Sequence, residues 1–447
     1  MGPFLSPPFP TTHCSPLGAV DKPDGSVRLI LDLSSPRGKS INEGIPKSEF
    51  TVEYSNFDDA VDLVRTFGKN CFLAKIDVQH AFRIVPVHPD DWHKLCFQAD
   101  GFYFVDTRLS FGSRSSPFIF NTFADFLRWY LAVIIGIAVI IHYLDDFLLV
   151  ASDFTNCNLH VSKMLSACAR LGVPINRNKL VGPSTVLTYL GILIDTENMQ
   201  IRLPPEKLES LKNLLATWSS KVKCKKRELL SLIGKLSFAC KVVKPGRMFL
   251  RRLIKLSTTV TSLDHYICID EAAREDILWW VQFISEWNGV SIILDNPNNR
   301  RLRLFTDASN LGLGGYFRSN WFSLAWPISH ANLHINIKEL LAVMAATFTW
   351  AHLLKNKKVV VFTDNLDIVQ IWLIGSSQND LLMKLIRILF LFCARNNIAL
   401  ALRHIAGFKN TKADLLSRLQ VDKFKAIHPS ADETPSPVEP HLWTCLT

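Results

Sequence analysis

Two adjacent carboxylates, Asp145 and Asp146, stand at the centre of the apolar run Ile140-Ile141-His142-Tyr143-Leu144-Asp145-Asp146-Phe147-Leu148-Leu149-Val150. Residues of high β-propensity flank the pair on both sides, so the stretch reads as strand, tight turn, strand. Holding two negative charges at a turn between buried strands is costly unless a cation or a base sits with them. The pair therefore predicts a metal site, with a further ligand supplied from elsewhere in the chain.

The 447 residues are too many for one core, and the length suggests about three domains. Hydrophobic residues at 48% and charged residues at 20% give a globular balance and exclude a chain that is disordered throughout. The formal charge of +10 favours polyanionic partners such as nucleic acid without naming one. Ten cysteines are scattered with no C-x-x-C pair, which excludes a zinc ribbon or a disulfide scaffold and favours a reducing intracellular compartment, cytoplasm or nucleus. The Pro-rich N-terminus lacks the basic start of a secretory signal, and the apolar run Leu131 to Ile141 is too short for a bilayer, so no membrane partner is expected.

Residues 1–16, rich in Pro and Ser, read as a mobile arm. Val20 to Asp32 reads as a hairpin turning at Pro23-Asp24-Gly25-Ser26; its basic residues either grip phosphates or decorate a solvated ribbon. Phe57 to Phe67 has helical spacing, with Phe57, Ala60, Val61, Val64 and Phe67 on one face. The apolar strand from Cys71 ends on Asp77, which caps a turn or supplies the missing ligand. Leu95 to Val105 and Thr107 to Leu109 read as short strands, and Pro117 opens a Phe-rich, core-packing helix to about Tyr130. A helix from about Cys157 to Leu171 and a strand pair at Thr188 to Ile194 follow. Pro204-Pro205 marks a boundary, after which helices of about Glu206 to Trp218 and Lys226 to Val242 carry the basic runs Lys221 to Arg227 and Lys241 to Lys255, read as a phosphate-tracking surface. Beyond the polar linker Asn296 to Arg301 the pattern alternates strands and helices, and the Pro-rich, acidic end reads as a disordered tail, residues 421–447.

Two carboxylate sets emerge at strand ends and on helices: Asp77, Asp145 and Asp146, then Asp307, Glu339, Asp364 and Asp414. Singly, each is more often a cap or a surface residue. Their recurrence at the ends of apolar strands, where packing gives no reason for charge, is what carries weight. Oxygen-only ligand sets suit Mg²⁺ or Mn²⁺ rather than zinc. Two such ions roughly 3.5–4 Å apart are what in-line phosphoryl displacement needs.

Ala74 to Phe82, Phe111-Gly112-Ser113-Arg114-Ser115-Ser116-Pro117 and Tyr143-Leu144-Asp145-Asp146 resemble the successive palm motifs of a retroelement reverse transcriptase. Tyr189-Leu190-Gly191-Ile192 resembles the hairpin that grips the primer. Thr306-Asp307-Ala308-Ser309, Lys338-Glu339-Leu340, Thr363-Asp364-Asn365, His404 to Gly407 and Asn410 to Arg418 resemble a type I ribonuclease H domain. The motifs fall in order over about residues 17–420. Among retroelements, Asp32-Leu33-Ser34-Ser35-Pro36 before Ser40-Ile41-Asn42, and Gly234-Lys235-Leu236 leading to Pro245-Gly246-Arg247, are most similar to the DIRS-like, tyrosine-recombinase group, with Ty3/Gypsy elements second.

The resemblance implies an α/β (α+β) multidomain fold: fingers and palm over 17–203, a helical thumb and connection over 204–295, and a ribonuclease H-like domain over 302–420. It implies an RNA-directed and DNA-directed DNA polymerase that also cuts the RNA of an RNA–DNA hybrid, with an RNA template, a DNA primer, dNTPs and two Mg²⁺ (or Mn²⁺) per active site. By the same resemblance Asp77 and Asp145 hold metal, with the Val78 carbonyl assisting and Asp146 supporting. Phe82 is the steric gate against ribose. Arg28 and Lys22 pair with the triphosphate, and Phe111 and Gly112 floor the nucleotide pocket. Lys179 is a proton donor to pyrophosphate or a plain phosphate contact. In the second site Asp307, Glu339, Asp364 and Asp414 bind metal and His404 helps product leave.

The fingers are short and no protease motif, Cys-His knuckle or integrase-type zinc pattern is present, so the chain is expected to begin inside a longer polyprotein. A non-catalytic relic would have no chemical need for two intact carboxylate sets. An RNA-copying RNA polymerase gives no reason for the ribonuclease H set or for Phe82. No oligomeric state is implied.

Overall fold

In the computed structural model, the residues described are 1–21, 25, 27–286, 290–292, 302–374, 377 and 379–446. The chain divides into two compact units, Met1–Asn198 and Met199–Thr447. Among the described residues no helix is long and apolar enough to cross a membrane.

The first unit begins with the hairpin β1 (Leu17–Asp21) and β2 (Val27–Leu31), paired Leu17 to Leu31. Helix α1 (Phe57–Phe67) starts at Asn56, whose side chain caps it in exchange with Asp59, and its buried stripe is Phe57, Ala60, Val61 and Val64. Next come β3 (Phe72–Asp77), the hairpin β4 (Cys96–Ala99) and β5 (Phe102–Val105), and α2 (Ser116–Trp129) with Pro117 in its first turn. The Asp pair lies in the predicted hairpin, β6 (Ile140–Tyr143) and β7 (Asp146–Ala151). Helix α3 (Phe154–Leu171), β8 (Val181–Ser184), β9 (Val186–Tyr189) and β10 (Ile192–Asp195) complete the unit.

Strands order as β6-β7-β3-β8, antiparallel throughout. Strand β3 is central, so its run Leu73, Ala74, Ile76 is buried and almost continuously apolar. The core closes around Phe120, Leu127, Phe147, Leu149, Met164 and Cys168, from α2, β7 and α3. This anchors the strands whose ends carry Asp77, Asp145 and Asp146.

The N-terminal arm is not loose. Phe4 exchanges backbone hydrogen bonds with Tyr103 at 2.9 Å each way, and Ser15 N donates to Cys96 O at 2.9 Å, so an edge that would otherwise offer unpaired groups takes up the arm. Thr107 to Leu109, expected as a strand, makes only an isolated bridge between Arg108 and Pro86.

The second unit contains β11 (Gln200–Arg202), α4 (Pro205–Ser219), β12 (Lys223–Lys225), α5 (Lys226–Ala239), α6 (Arg251–Ser257), β13 (Tyr266–Cys268), α7 (Glu271–Glu286) and β14 (Val290–Ile292). The linker Asn296 to Arg301 lies outside the described residues. Then follow β15 (Leu302–Ala308), β16 (Gly312–Phe317), β17 (Asn320–Ala325), α8 (Ile335–Thr349), α9 (Ala351–Leu354), β18 (Lys358–Thr363), α10 (Leu366–Ile374), α11 (Asp380–Arg395), β19 (Ala399–His404), α12 (Thr411–Ser417) and α13 (Val421–Ile427).

The sheet order is β17-β16-β15-β18-β19, antiparallel among the first three and parallel from β15 to β19. Helix α8 is apolar on every side, and Ile337 through Thr349 are all buried. It carries Glu339 into the interior against β15.

The basic runs are partly consumed inside the fold. Lys221 pairs with Glu228, Lys225 and Arg227 with Asp264, and Arg252 with Glu275, while Lys226 Nζ donates to the Val260 carbonyl at 2.6 Å. The expectation of a free phosphate-tracking face is weaker by those cations. Residues 421–447, expected as a disordered tail, instead pack from Val421 to Leu446. Phe424 and Leu442 are fully buried, Trp321 Nε1 donates to the Asp432 carbonyl at 2.7 Å and Trp350 Nε1 to Ser436 Oγ at 3.1 Å. The Pro-rich, acidic composition concealed these few apolar anchors.

Candidate active sites

The end of β3 and the β6–β7 turn form the first site. Asp77 is the register partner of Asp146 across β3 and β7, and Val78 N donates to the Asp145 carbonyl at 3.0 Å. The turn places Leu144 at φ 52°, a left-handed conformation that costs a branched side chain about 1–2 kcal/mol. Burial pushes the Asp145 carboxyl up to about 6, with Asp146 and Asp77 adding repulsion. Burial also raises Asp146, against the opposing charge of Lys75.

Two lysines sit among these acids. Lys179 Nζ donates to Asp77 Oδ2 at 3.0 Å, and that hydrogen bond raises the lysine's own pKa. Lys75 Nζ lies 3.8 Å from Asp146 Oδ1. Behind the turn, Tyr189 is fully buried in the β9–β10 hairpin, with its hydroxyl 3.5 Å from the Asp146 carbonyl. That hairpin turns at Leu190 and Gly191, both at positive φ, as a two-residue turn matching strand twist requires.

The structure also brings Arg28, Phe82, Phe111 and Gly112 together in one wall. The Phe82 and Phe111 rings are 5.1 Å apart and the Arg28 guanidinium lies 5.0 Å over Phe111. Leu31 N donates to the Phe111 carbonyl at 3.0 Å, so the first hairpin is sewn to this wall. Gly112 stands at φ 114°, where a Cβ would fall 2.1 Å from the Leu31 carbonyl oxygen. Only glycine permits that approach. Lys22 lies outside the described residues.

Sequence reasoning missed the residue that fixes this wall. Asn42, buried, donates to the Gly112 carbonyl at 2.9 Å and accepts from Arg114 N at 2.7 Å. Its signal is the Ser40-Ile41-Asn42 triplet, which the resemblance uses only as a mark of lineage.

The second site forms where β15, α8 and β18 meet. Among the described residues, Asp307, Glu339 and Asp364 are the one group of three acids that brings one oxygen from each to within 4.8 Å of the others. Asp307 and Glu339 are buried, and Asp364 follows the last residue of β18. Burial pushes Asp307 up to about 7, and it raises Glu339 well above its ordinary value, with Asp307 and Asp364 adding repulsion. Asp364 is raised as well, first by burial.

Neighbouring donors aim these acids. Ser417 Oγ donates to Asp307 Oδ2 at 2.6 Å, while Glu339 accepts from Ala308 N at 3.2 Å and from Thr363 Oγ1 at 3.0 Å. Asp307 pairs with Gly314, and a Cβ there would lie 2.4 Å from Leu416 Cβ and 2.5 Å from Ser417 N. The bare strand is what lets α12 close on the sheet. Asn410 Nδ2 donates to the Thr306 carbonyl at 3.0 Å and fastens the start of the same helix. Ser417, Thr363 and Asn410 lie within the resembling motifs, but the resemblance assigns them no role.

Asp414 stands on α12 outside the converging trio, accepting from Arg418 Nε at 2.7 Å. His404 is the register partner of Thr363 at the exposed end of β19. A cavity of about 460 Å³ opens alongside, lined by His334, Asn336, Asp367, Gln370 and Ile371. Asn365, next to Asp364, donates to the Asn336 side chain at 2.9 Å.

Residues 20–194 match the reverse transcriptase (RNA-dependent DNA polymerase) family, and residues 298–392 match the RNase H-like domain found in reverse transcriptase. The retrovirus-related Pol polyprotein from transposon 297 of Drosophila melanogaster is 21% identical over 417 residues, covering 90% of this chain and 36% of that protein. The transposon Tf2-3 polyprotein of Schizosaccharomyces pombe is 20% identical over 381 residues, covering 80% of this chain and 26% of that protein. The chain thus spans about a third of these relatives, which are Ty3/Gypsy-like; a DIRS-like placement draws no support from them. The fold is similar to a foamy viral protease–reverse transcriptase solved with double-stranded DNA, at a TM-score of 0.51 and 17% identity over 88% of this chain and 65% of that one. The same viral protein with an RNA/DNA hybrid gives 0.50 and 17% over 88% and 50%.

Proposed function

From a chain that carries a reverse transcriptase domain followed by an RNase H-like domain, we infer an RNA- and DNA-directed DNA polymerase that also cleaves the RNA of an RNA–DNA hybrid. The observation that carries this reading is that one chain holds two separate carboxylate sites, each at the ends of core strands.

In polymerisation the primer 3′-hydroxyl oxygen forms a bond to the α-phosphorus of a dNTP, the α–β phosphoanhydride bond breaks, and pyrophosphate leaves. Asp77 and Asp145 are the residues that would hold divalent metal, with the Val78 carbonyl assisting and Asp146 supporting. Their all-oxygen chemistry fits Mg²⁺ or Mn²⁺. Bound metal supplies charge neutralisation at the phosphate and a more acidic attacking hydroxyl. The chain's own contribution is positioning. Phe82, braced on Phe111 and on Phe120 at 5.6 Å, is a bulky wall against a ribose 2′-hydroxyl, and Arg28 above Phe111 faces the triphosphate, with Lys22 as its companion. Phe111 and Gly112 form the floor. Lys179, exposed at the surface, exchanges Asp77 for the β- and γ-phosphates and either donates a proton to pyrophosphate or neutralises it.

In the second site Asp307, Glu339 and Asp364 would hold metal, Asp414 joins when Arg418 yields, and His404 assists release of the cut strand. The donors Ser417 and Thr363 keep the acids converged. The cavity beside Asn336 is a place for the hybrid's backbone. We read 17–203 as fingers and palm, 204–295 as thumb and connection, and 302–420 as the hybrid-cleaving domain. Ten free cysteines support a reducing intracellular setting. The DIRS-like placement rests on the Asp32 to Asn42 and Gly234 to Arg247 motifs alone; a tree built from the palm residues tests it, and grouping with Ty3/Gypsy elements would reject it.

Primer extension on poly(rA)/oligo(dT) with Mg²⁺, wild type against Asp145→Asn, tests the polymerase. Extension by the wild type and none by the variant is expected. Equal extension by both, or none by either, would sink the reading.

A further inference from the structure

Strand β15 delivers Asp307 and the chain then turns back through Ser309 to Gly312. One buried residue spans that turn. Trp326, directly after β17, donates from its backbone N to the Leu311 carbonyl at 3.2 Å and from Nε1 to the Ser309 carbonyl at 2.9 Å. Ser309 Oγ in turn donates to the Ser417 carbonyl at 2.8 Å, and Ser417 Oγ donates to Asp307 Oδ2 at 2.6 Å. A relay therefore runs from the indole to the Asp307 carboxyl, through the end of α12, the helix that carries Asp414.

Trp326 is itself met by the far end of the chain. Trp443, in the 3₁₀ turn Pro440–Leu446, packs edge-on against it with ring centroids 6.1 Å apart and planes at 75°, and His330 stacks on Trp443 at 5.4 Å. The neighbouring Leu442 is fully buried and fastens this turn. The ammonium of Lys338, next in sequence to Glu339, lies 5.6 Å over the Trp326 ring. Filling space explains a ring at position 326, but a phenylalanine would fill it too. The indole N–H is what ties that ring to the turn after Asp307.

Acids that repel one another splay apart unless their supports are fixed, and the outer hydrogen-bond partners of metal-holding groups typically carry about 10–100-fold in metal affinity. We propose that Trp326, backed by Trp443, is a positioning residue for the hybrid-cleaving site: it fixes the Ser309 turn and, through Ser417, holds Asp307 in place for metal. The C-terminal segment thereby bears on the chemistry of a site built from other elements. The inference rests on the hybrid-cleavage reading above and adds to it two residues outside the resembling motifs.

The test uses the full chain in an Asp145→Asn background, which disables the first site. It reads Mg²⁺ binding by titration calorimetry without nucleic acid, beside cleavage of a labelled RNA–DNA hybrid. Trp326→Phe keeps a ring against Trp443 and removes the N–H. It should weaken Mg²⁺ binding, and raise the Mg²⁺ concentration for half-maximal cleavage, by about tenfold, with KM for the hybrid unchanged. Trp443→Ala should move both in the same direction by about threefold, and Trp443→Phe, which restores an aromatic edge, should return both to the reference value. Primer extension by the same variants with Asp145 intact should stay at the wild-type level. An unmoved Mg²⁺ midpoint in Trp326→Phe would overturn the relay even if cleavage and melting temperature fall, because misfolding removes active molecules without changing what the rest bind. Should Trp326→Phe fail to fold, Trp443→Ala, at a half-buried ring, decides: an unmoved midpoint there overturns the proposal. A reference protein that binds Mg²⁺ but cuts no hybrid overturns the hybrid-cleavage reading and leaves calorimetry to judge the relay. One that binds no Mg²⁺ overturns both. With one that binds and cuts, failure of the variants counts against the relay alone.

Discussion

At the β6–β7 turn two lysines stand among the acids, Lys179 on Asp77 and Lys75 near Asp146, whereas among the described residues no cationic side chain forms an ion pair with Asp307, Glu339 or Asp364. Each site buries part of its acids, Asp77 at 4% exposed in the first and Asp307 and Glu339 at 4% and 3% in the second. The first site is therefore partly neutralised before any cation or triphosphate arrives. It opens to both because its lysine side chain can swing away, Lys179 being 58% exposed. The second keeps its acids converged by hydrogen bonds from Ser417, Thr363 and the Ala308 amide, and their repulsion is offset only from a distance, by Arg418 on Asp307 and His404 on Asp364. A polymerase site must release and reload a charged substrate at each step, while a nuclease site need only wait for a strand with its metal in place. The two arrangements match those two duties.

The largest effect that tests this division is Asp364→Asn. It should abolish hybrid cleavage and leave primer extension at its wild-type level, measured by gel on one labelled hybrid. Loss of both activities would mean that the sites are not independent and that the comparison fails.

A smaller effect concerns stability without metal. Burial lifts Asp307 to about 7, against about 3.9 for an unfolded aspartate, so between these values the folded state holds the proton more firmly. Stability is then fully present below about pH 4 and declines as pH rises towards about 7. The range carries at most about 4 kcal/mol, from about 1.36 kcal/mol per unit. In chelator-treated protein, Asp307→Asn should flatten that decline and raise the melting temperature at pH 7. Added Mg²⁺ should do the same for the wild type. A melting temperature in chelator that climbs from pH 4 to pH 7 would reverse the sign and refute a cluster offset only from a distance.

How far the sequence foretold these sites depends on the distance over which each feature was assembled. The ends of β3 and β18 were legible because a charged residue closing an apolar strand breaks the local pattern, and Asn56, Phe57 and Val64 mark α1 within a dozen residues. The Arg28–Phe111–Phe82 wall came from motif resemblance, and the structure brings its members together. What stayed hidden joins residues distant in sequence. Lys179 meets Asp77 across 102 positions and Ser417 meets Asp307 across 110, and neither Lys179 nor Ser417 departs from its local pattern. The tail misled for a related reason: its composition is that of a mobile segment, but Phe424 and Leu442 suffice to hold it.

The smallest expected effect asks whether Lys179 is a stand-in cation. An ammonium on Asp77 and a divalent ion compete for the same carboxylate, so removing the lysine should favour the ion. The pair is largely exposed on the lysine side, and such pairs are worth no more than about 1 kcal/mol. Lys179→Met should therefore tighten Mg²⁺ binding at the first site by roughly fivefold at most, since about 1.4 kcal/mol makes a factor of ten. Titration calorimetry in the Asp364→Asn background reads this with the second site disabled and no nucleotide present. Under turnover the same substitution should raise KM for the dNTP, because the side chain that leaves Asp77 is the one that meets the phosphates. Tighter metal binding with weaker nucleotide binding is the pattern a placeholder requires. Weaker Mg²⁺ binding in Lys179→Met would show instead that the lysine organises Asp77 for metal, and the contrast between an occupied first site and a second one offset only from a distance would lose its first term.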